Sequence, residues 1–247
     1  TRRPSLENSV IKSLPNTTIS KVSKALVTIR EEGGAVALGR VLTLIIETDL
    51  DGLERAIKAA NDASREHPCR VIVLASEGNA STQEARLDAE IRVGGDAGAS
   101  EVIVLRAYGE AAKDGESLVT GLLLPDAPVV AWWPDQAPEK AATSSIGRIA
   151  TRRITDAASQ KNPHEFLKHL AQTYTPGDSD FAWTRLTLWR AQLAAILDQP
   201  PYDAVTAVDV TGASDSPSTD LLAAWLELQL GVKVNVVRSE RGHAVAG

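Results

Sequence analysis

Apolar residues recur in two periods along this chain, and the switches between them mark its elements. Ile19, Val22, Leu26 and Ile29 stand at helical spacing behind Thr17 and Thr18, either of which can cap a helix, and Gly33-Gly34 ends it. Val41 to Ile46 is a β-branched apolar run too short for a helix and reads as a buried strand. Asp49 or Asp51 can cap a helix to Ser64, with Leu53, Ile57 and Ala60 inward, which His67-Pro68 breaks. Arg70 to Ala75 is a second strand. Leu87 to Val93 alternates apolar and charged residues, the pattern of a half-exposed antiparallel strand. Glu101 to Leu105 and Val129 to Trp133 are further strands, with a short helix over 115–124 between them and Pro134 stopping the second. Gln136 to Ser144 is a Pro/Ala/Ser-rich loop, and Ile149 to Ala158 reads as a helix or an edge strand.

A second unit opens at Asn162-Pro163-His164-Glu165, with a cap, Pro at the first helical position and Glu at the third. Pro176-Gly177 ends that helix. A helix over Asp180 to Leu197 sets Ala182, Leu186, Trp189, Leu193 and Ile196 on one face, and Pro200-Pro201 stops it. Strand Val205–Val210, helix Pro217–Leu230 and strand Val232–Val237 form a β-α-β unit, with Gly231 at the left-handed helix terminator. Strands alternating with helices predict an α/β fold: a mixed, mostly parallel sheet with flanking helices, in two α/β units. The expected organisation is a flexible arm over 1–16, an N-terminal α/β domain over 17–160 and a C-terminal α/β unit over 161–247, incomplete at its C-terminal end.

Length and composition support a globular reading. The 247 residues are 43% hydrophobic and 23% charged, enough to bury a core without disulfides or metals. A single cysteine, Cys69, forbids an intrachain disulfide and fits a reducing, cytoplasmic setting. A net charge of −6 argues against nucleic acid as a partner, and no apolar run approaches the roughly 20 residues of a membrane helix. The chain contains no methionine, even at position 1, so its numbering does not begin at a natural start codon. Its end after a strand-like run suggests that the natural polypeptide continues past Gly247.

Catalytic and cofactor signals are weak. Gly34 to Gly39 nearly fits a phosphate-binding P-loop, but Arg40 replaces the lysine, Val41 the hydroxyl residue, and the segment leads from helix to strand. Gly94-Gly95-Asp96-Ala97-Gly98 joins two strands, a hairpin context rather than a dinucleotide-binding one. His67 and Cys69 are split by Pro68, and Cys69 opens a strand, where cysteine is a small hydrophobe. His67, His164, His169 and His243 make no metal-ligand spacing. The reading is therefore no catalytic residue, no cofactor and no metal. Two constellations remain. Trp132 and Trp133 are adjacent on a strand, so they point to opposite faces; both are buried in a two-sided sheet, or one is a partner-facing anchor. Arg148, Arg152 and Arg153 form surface ion pairs, or contact a phosphate or a partner's carboxylates.

Ordered segments of the chain resemble the OpcA family, the glucose-6-phosphate dehydrogenase assembly proteins, in its actinobacterial type. They include Glu31 to Leu44, Ala63 to Ile72, Val93 to Glu101, Leu123 to Pro134, Gly147 to Ala157, Tyr174 to Asp178 and Trp183 to Arg190. The resemblance implies a non-catalytic factor that helps glucose-6-phosphate dehydrogenase, which opens the oxidative pentose phosphate pathway, into its active oligomer. It implies no catalytic residues, and the cysteine-based redox control associated with cyanobacterial members has no counterpart in a chain with only Cys69. The partner-binding residues expected are Trp132, Trp133, Arg148, Arg152, Arg153, Trp183 and Trp189, the last on the expected core face. The competing reading is a sugar-phosphate- or nucleotide-binding regulatory sensor that uses the arginine cluster and the Gly94–Gly98 loop.

Overall fold

A computed structural model of the chain describes residues 10–32, 40–76, 84–94 and 101–239. The chain divides into two compact units, Thr1–Ile154 and Thr155–Gly247, a short way before the expected break at 160.

The first unit is built on a mixed sheet. Its strands are β1 (Val10–Leu14), β2 (Leu42–Asp49), β3 (Cys69–Ser76), β4 (Arg86–Val93), β5 (Glu101–Tyr108), β6 (Val129–Trp132) and β7 (Arg152–Thr155). Within this unit they hydrogen-bond in the order β1-β4-β5-β3-β2-β6-β7. The run β5-β3-β2-β6-β7 is parallel, whereas β4 is antiparallel to both β5 and β1. The antiparallel reading of the alternating Leu87 to Val93 segment thus holds. Val10 to Leu14, expected within a loose arm, is instead a strand in register with Ala89 to Val93; residues 1–9 lie outside the described residues. The ambiguous segment after Ile149 resolves as a strand.

Helices cover both sheet faces, which is why the central strands are apolar without alternation. Helix α1 (Ile19–Glu32) packs Val22, Ala25, Leu26 and Ile29 with Ile45, Ile72, Ile103 and Leu105. Helix α2 (Leu53–Ser64) packs Leu53, Ala56, Ile57 and Ala60 with the alternate residues Ile46, Val71, Val73, Val102 and Val104. Burial of each large aliphatic side chain contributes roughly 1.5–3 kcal/mol. Cys69 is one of these buried hydrophobes. Thr18 accepts from Lys21 N–H at the start of α1, as expected. At α2 the cap is Gly52 rather than an aspartate, although Asp49 Oδ1 accepts the Gly52 N–H at 2.6 Å. Helix α3 (Gly115–Thr120) starts where expected, capped by Asp114, and ends sooner than expected because the chain turns at Gly121.

In the second unit, α4 (Pro163–Thr173) starts at Asn162 with Pro at its first turn, though the Asn162 side chain makes no capping bond. A short strand β8 (Asp178–Asp180) leads into α5 (Phe181–Thr184). The helix expected over Asp180 to Leu197 is broken at Arg185-Leu186, so that α6 covers Thr187–Leu197. Strands β9 (Val208–Ala213) and β10 (Val234–Ser239) pair in parallel around α7 (Pro217–Leu230), the expected β-α-β unit, with the helix at its expected bounds and the strands two or three residues later. Gly231 adopts the left-handed conformation, φ +66°, at the end of α7. His164 ties the elements of this unit together: its Nδ1 lies 2.5 Å from Asp220 Oδ2 on α7, and Nε2 lies 2.6 Å from Ser214 O.

Candidate functional site

The order of the parallel strands creates a crevice. From β2 the chain moves through α2 to β3 on one side, then returns to place β6 on the other side of β2. Loops leaving β2 and β6 therefore diverge, and in open α/β sheets ligands bind outside the carboxyl ends of strands at such a point. A cleft of about 700 Å³ lies there, lined by Glu47 to Asp51 after β2, Ser76 at the end of β3, and Trp133 and Asp135 to Pro138 after β6. Its size falls within the roughly 300–1,000 Å³ of ligand pockets.

The floor of the cleft is tied by hydrogen bonds. Trp133 Nε1–H donates to Glu47 Oε2 at 2.7 Å, and the Thr48 hydroxyl donates to Asp135 Oδ2 at 2.9 Å. Arg55 donates to Asp135 Oδ1 at 2.5 Å. Gly52 sits so close to Thr48 and Asp135 that an added Cβ would overlap Thr48 Oγ1 and Asp135 Oδ2. Glu47, Asp49, Asp51 and Asp135 make the lining acidic. Such a surface repels phosphates and accepts hydrogen bonds from hydroxyl or amine donors. No group of three or more His, Cys, Asp or Glu residues among the described residues is arranged to hold a metal ion.

Within the first unit, the residues expected to meet a partner are not brought together into one patch. Trp132 and Trp133 do point to opposite faces. Trp133 is 1% exposed in the core on the α1 side, and Trp132 is half-buried against the α2-side cluster. Burial on both faces of the sheet is thus the outcome, and Trp133 is corrected from a surface anchor to a core residue. Arg152 and Arg153 alternate in the same way on β7. Arg152 is exposed, whereas Arg153 is buried and donates to Ala150 O at 2.9 Å. Arg153 is thereby corrected to a residue that holds the turn before β7. Arg148 is exposed and donates to Glu116 Oε2 at 2.7 Å, a surface ion pair. The three arginines do not converge on one point, so the competing sensor site loses its arginine half. Its glycine half, at residues 95–98, lies outside the described residues, as does the P-loop-like segment 34–39.

The second unit presents the expected tryptophans to solvent. Trp183 is 36% exposed and carries the Arg190 guanidinium 3.7 Å above its ring. Trp189 is 59% exposed rather than on a core face. On α6 only Leu193 joins the α7–β9–β10 cluster, whereas Leu188, Ile196 and Leu197 are exposed with Trp189. A helix with one charged residue, Arg190, among Thr187 to Leu197 normally lies buried. Sequence reasoning misses Leu188 and Leu197, and wrongly turns Ile196 inward with Trp189, because it gives their helix a single apolar face; the near absence of charge is the available signal. It misses Glu47, Asp49 and Asp135 because a switch point requires the strand order.

Two protein-family models match in order. The first, described as the N-terminal domain of the glucose-6-phosphate dehydrogenase subunit (OpcA_G6PD_assem), covers residues 60–172. The second, described as the C-terminal domain of the same subunit (OpcA_G6PD_C), covers residues 176–246. Among curated proteins, the chain is 28% identical over 189 residues to a Synechocystis protein named "Putative OxPP cycle protein OpcA". That alignment takes in 71% of this chain and 38% of the relative, so the chain spans well under half of that protein's length. No solved structure matches.

Proposed function

Since the chain belongs to the OpcA glucose-6-phosphate dehydrogenase assembly family, we propose that it is a non-catalytic partner that binds glucose-6-phosphate dehydrogenase in the cytoplasm and favours its active oligomer. The observation that carries this reading is the ordered match to both family models, which together run from 60 to 246 with a break of three residues at 173–175. The solvent-facing apolar surface of α6 supports it, because a contiguous exposed apolar patch marks an interaction site and tryptophan is enriched among interface anchors. No helix among the described residues is long and apolar enough to cross a membrane.

The mechanism is a shift of population. A partner that binds the active oligomer more tightly than the dissociated or inactive form favours it by that difference in affinity. A coupling of about 1–3 kcal/mol corresponds to roughly 5- to 150-fold in affinity. The test is a titration of this protein into purified dehydrogenase from the same organism, with NADPH formation and light scattering followed together. Activation with a co-migrating complex is the expected result. No complex and no change in activity would overturn the reading.

A further inference from the structure

At the end of the sheet opposite the acidic cleft, three arginines surround one buried carboxylate. Glu101 opens β5 and its side chain is 1% exposed. Arg30 from α1 donates to it through Nε at 3.1 Å and through Nη2 at 2.9 Å. Arg70, at the start of β3, donates through Nε at 2.7 Å and sends Nη1 to Leu122 O. Arg40, just before β2, reaches only within 3.7 Å of Glu101. The Arg40 guanidinium makes no hydrogen bond among the described residues, and its Nε is buried without a partner.

The charges do not balance. Three guanidinium groups face one carboxylate, leaving two positive charges, and no other carboxylate pairs with these arginines among the described residues. Removing charges from water is costly unless they are paired. Arginine forks match phosphate oxygens in shape, and a phosphate monoester carries about −1.5 to −2 charges near neutral pH, which matches the excess. The side chains of Arg30 and Arg40 remain 35% and 16% exposed, so solvent reaches the cluster. We propose that Arg30, Arg40 and Arg70, oriented by Glu101, form a binding site for a phosphate dianion, free or as the phosphate of a small monoester. Glu101 sets the guanidinium planes, and Arg40 supplies the uncommitted donors. The proposal is independent of any protein partner.

The experiment measures thermal unfolding of the full chain at constant ionic strength, with chloride replaced stepwise by inorganic phosphate or by a hexose phosphate. A saturable rise in midpoint is expected in at least one arm, with 31P line broadening of the same probe as a readout that needs no variant. A response to the hexose phosphate alone assigns the site to an esterified phosphate; a response to both assigns it to the phosphate group itself. Arg40→Gln should weaken the fitted Kd at least tenfold, whereas Arg148→Gln, an arginine paired elsewhere, should leave it unchanged. No saturable response in either arm with no line broadening would overturn the proposal. Equal losses in the two variants would also overturn it, since they would mean that phosphate senses only net charge.

Discussion

Trp133 donates its indole N–H to Glu47 across the seam between β6 and β2, at 2.7 Å, while its ring fills the core beneath. Removing the indole should therefore cost stability. Trp133→Phe deletes part of a fully buried side chain and leaves Glu47 without its donor, a loss of about 2–4 kcal/mol. Glu47→Gln keeps an acceptor and should cost less than half of that. Denaturant unfolding of both variants checks the order; a Trp133→Phe protein of unchanged stability would make that tryptophan a surface anchor again.

Gly147 lies in the turn that Arg153 holds. A Cβ there would overlap the backbone oxygen of Ala141, and backbone cannot swing aside as a side chain can. Gly147→Ala should destabilise the first unit by about 1–3 kcal/mol, with occasional cases larger. A midpoint within error of wild type in urea would show that the 141–147 turn yields. This prediction comes from packing alone, since nothing in the sequence around Gly147 signals the contact.

Two carboxylates impose opposite pH dependences. Burial pushes Asp180 above the ordinary aspartate range, against the opposing pull of the Thr155 hydroxyl and the N–H groups of Ala182 and Ala157. Its contribution is fully present below the unfolded pKa and is lost as pH rises through the folded one. The stability difference between wild type and Asp180→Asn should accordingly shrink as pH rises from about 4. Glu54 moves the other way, because its hydrogen bonds from Arg92 hold it below the ordinary glutamate range. Its contribution is present above the unfolded pKa and is lost as pH falls through the folded one. Glu54 is two-thirds exposed, so Glu54→Gln should cost less than about 1 kcal/mol at neutral pH. Unfolding curves across pH 3–8 for both variants, roughly spanning the carboxylate range, test the signs; parallel profiles would refute the assignment.

Pattern made the α/β layers legible because apolar runs such as Val71 to Leu74 are rich in β-branched residues and too short for a helix, which favours a strand buried on both faces. It could not say which of Trp132 and Trp133, or of Arg152 and Arg153, faces inward, since a strand alternates its faces and one register step exchanges them. Strand order was also invisible locally. Glu47, Asp49 and Asp135 share a cleft only because β6 returns beside β2, a pairing between residues more than 80 positions apart. The Glu101 cluster was hidden for the same reason, as its arginines come from three separate segments, in α1, just before β2 and at the start of β3. The exposure of Trp189 defeated the helical-face rule because α6 is apolar nearly all round, leaving the phase of its buried stripe undetermined.

The surface of α6 gives the sharpest test of the dehydrogenase reading. Leu188 and Trp189 are 67% and 59% exposed, so truncating them removes little buried area from the fold. Leu188→Ala with Trp189→Ala should leave the unfolding midpoint within about 0.5 kcal/mol of wild type, as surface changes do. If the helix is an interface anchor, the same pair should weaken the complex with glucose-6-phosphate dehydrogenase by about 2 kcal/mol or more, roughly 30-fold in Kd. Arg152→Ala, an exposed site on the other unit, is the matched control for a patch elsewhere. Loss of binding in the α6 variant with retained stability places the contact on that helix. Retained binding in the α6 variant with loss in Arg152→Ala would move it to β7, and retained binding in both would remove these surfaces from the interface.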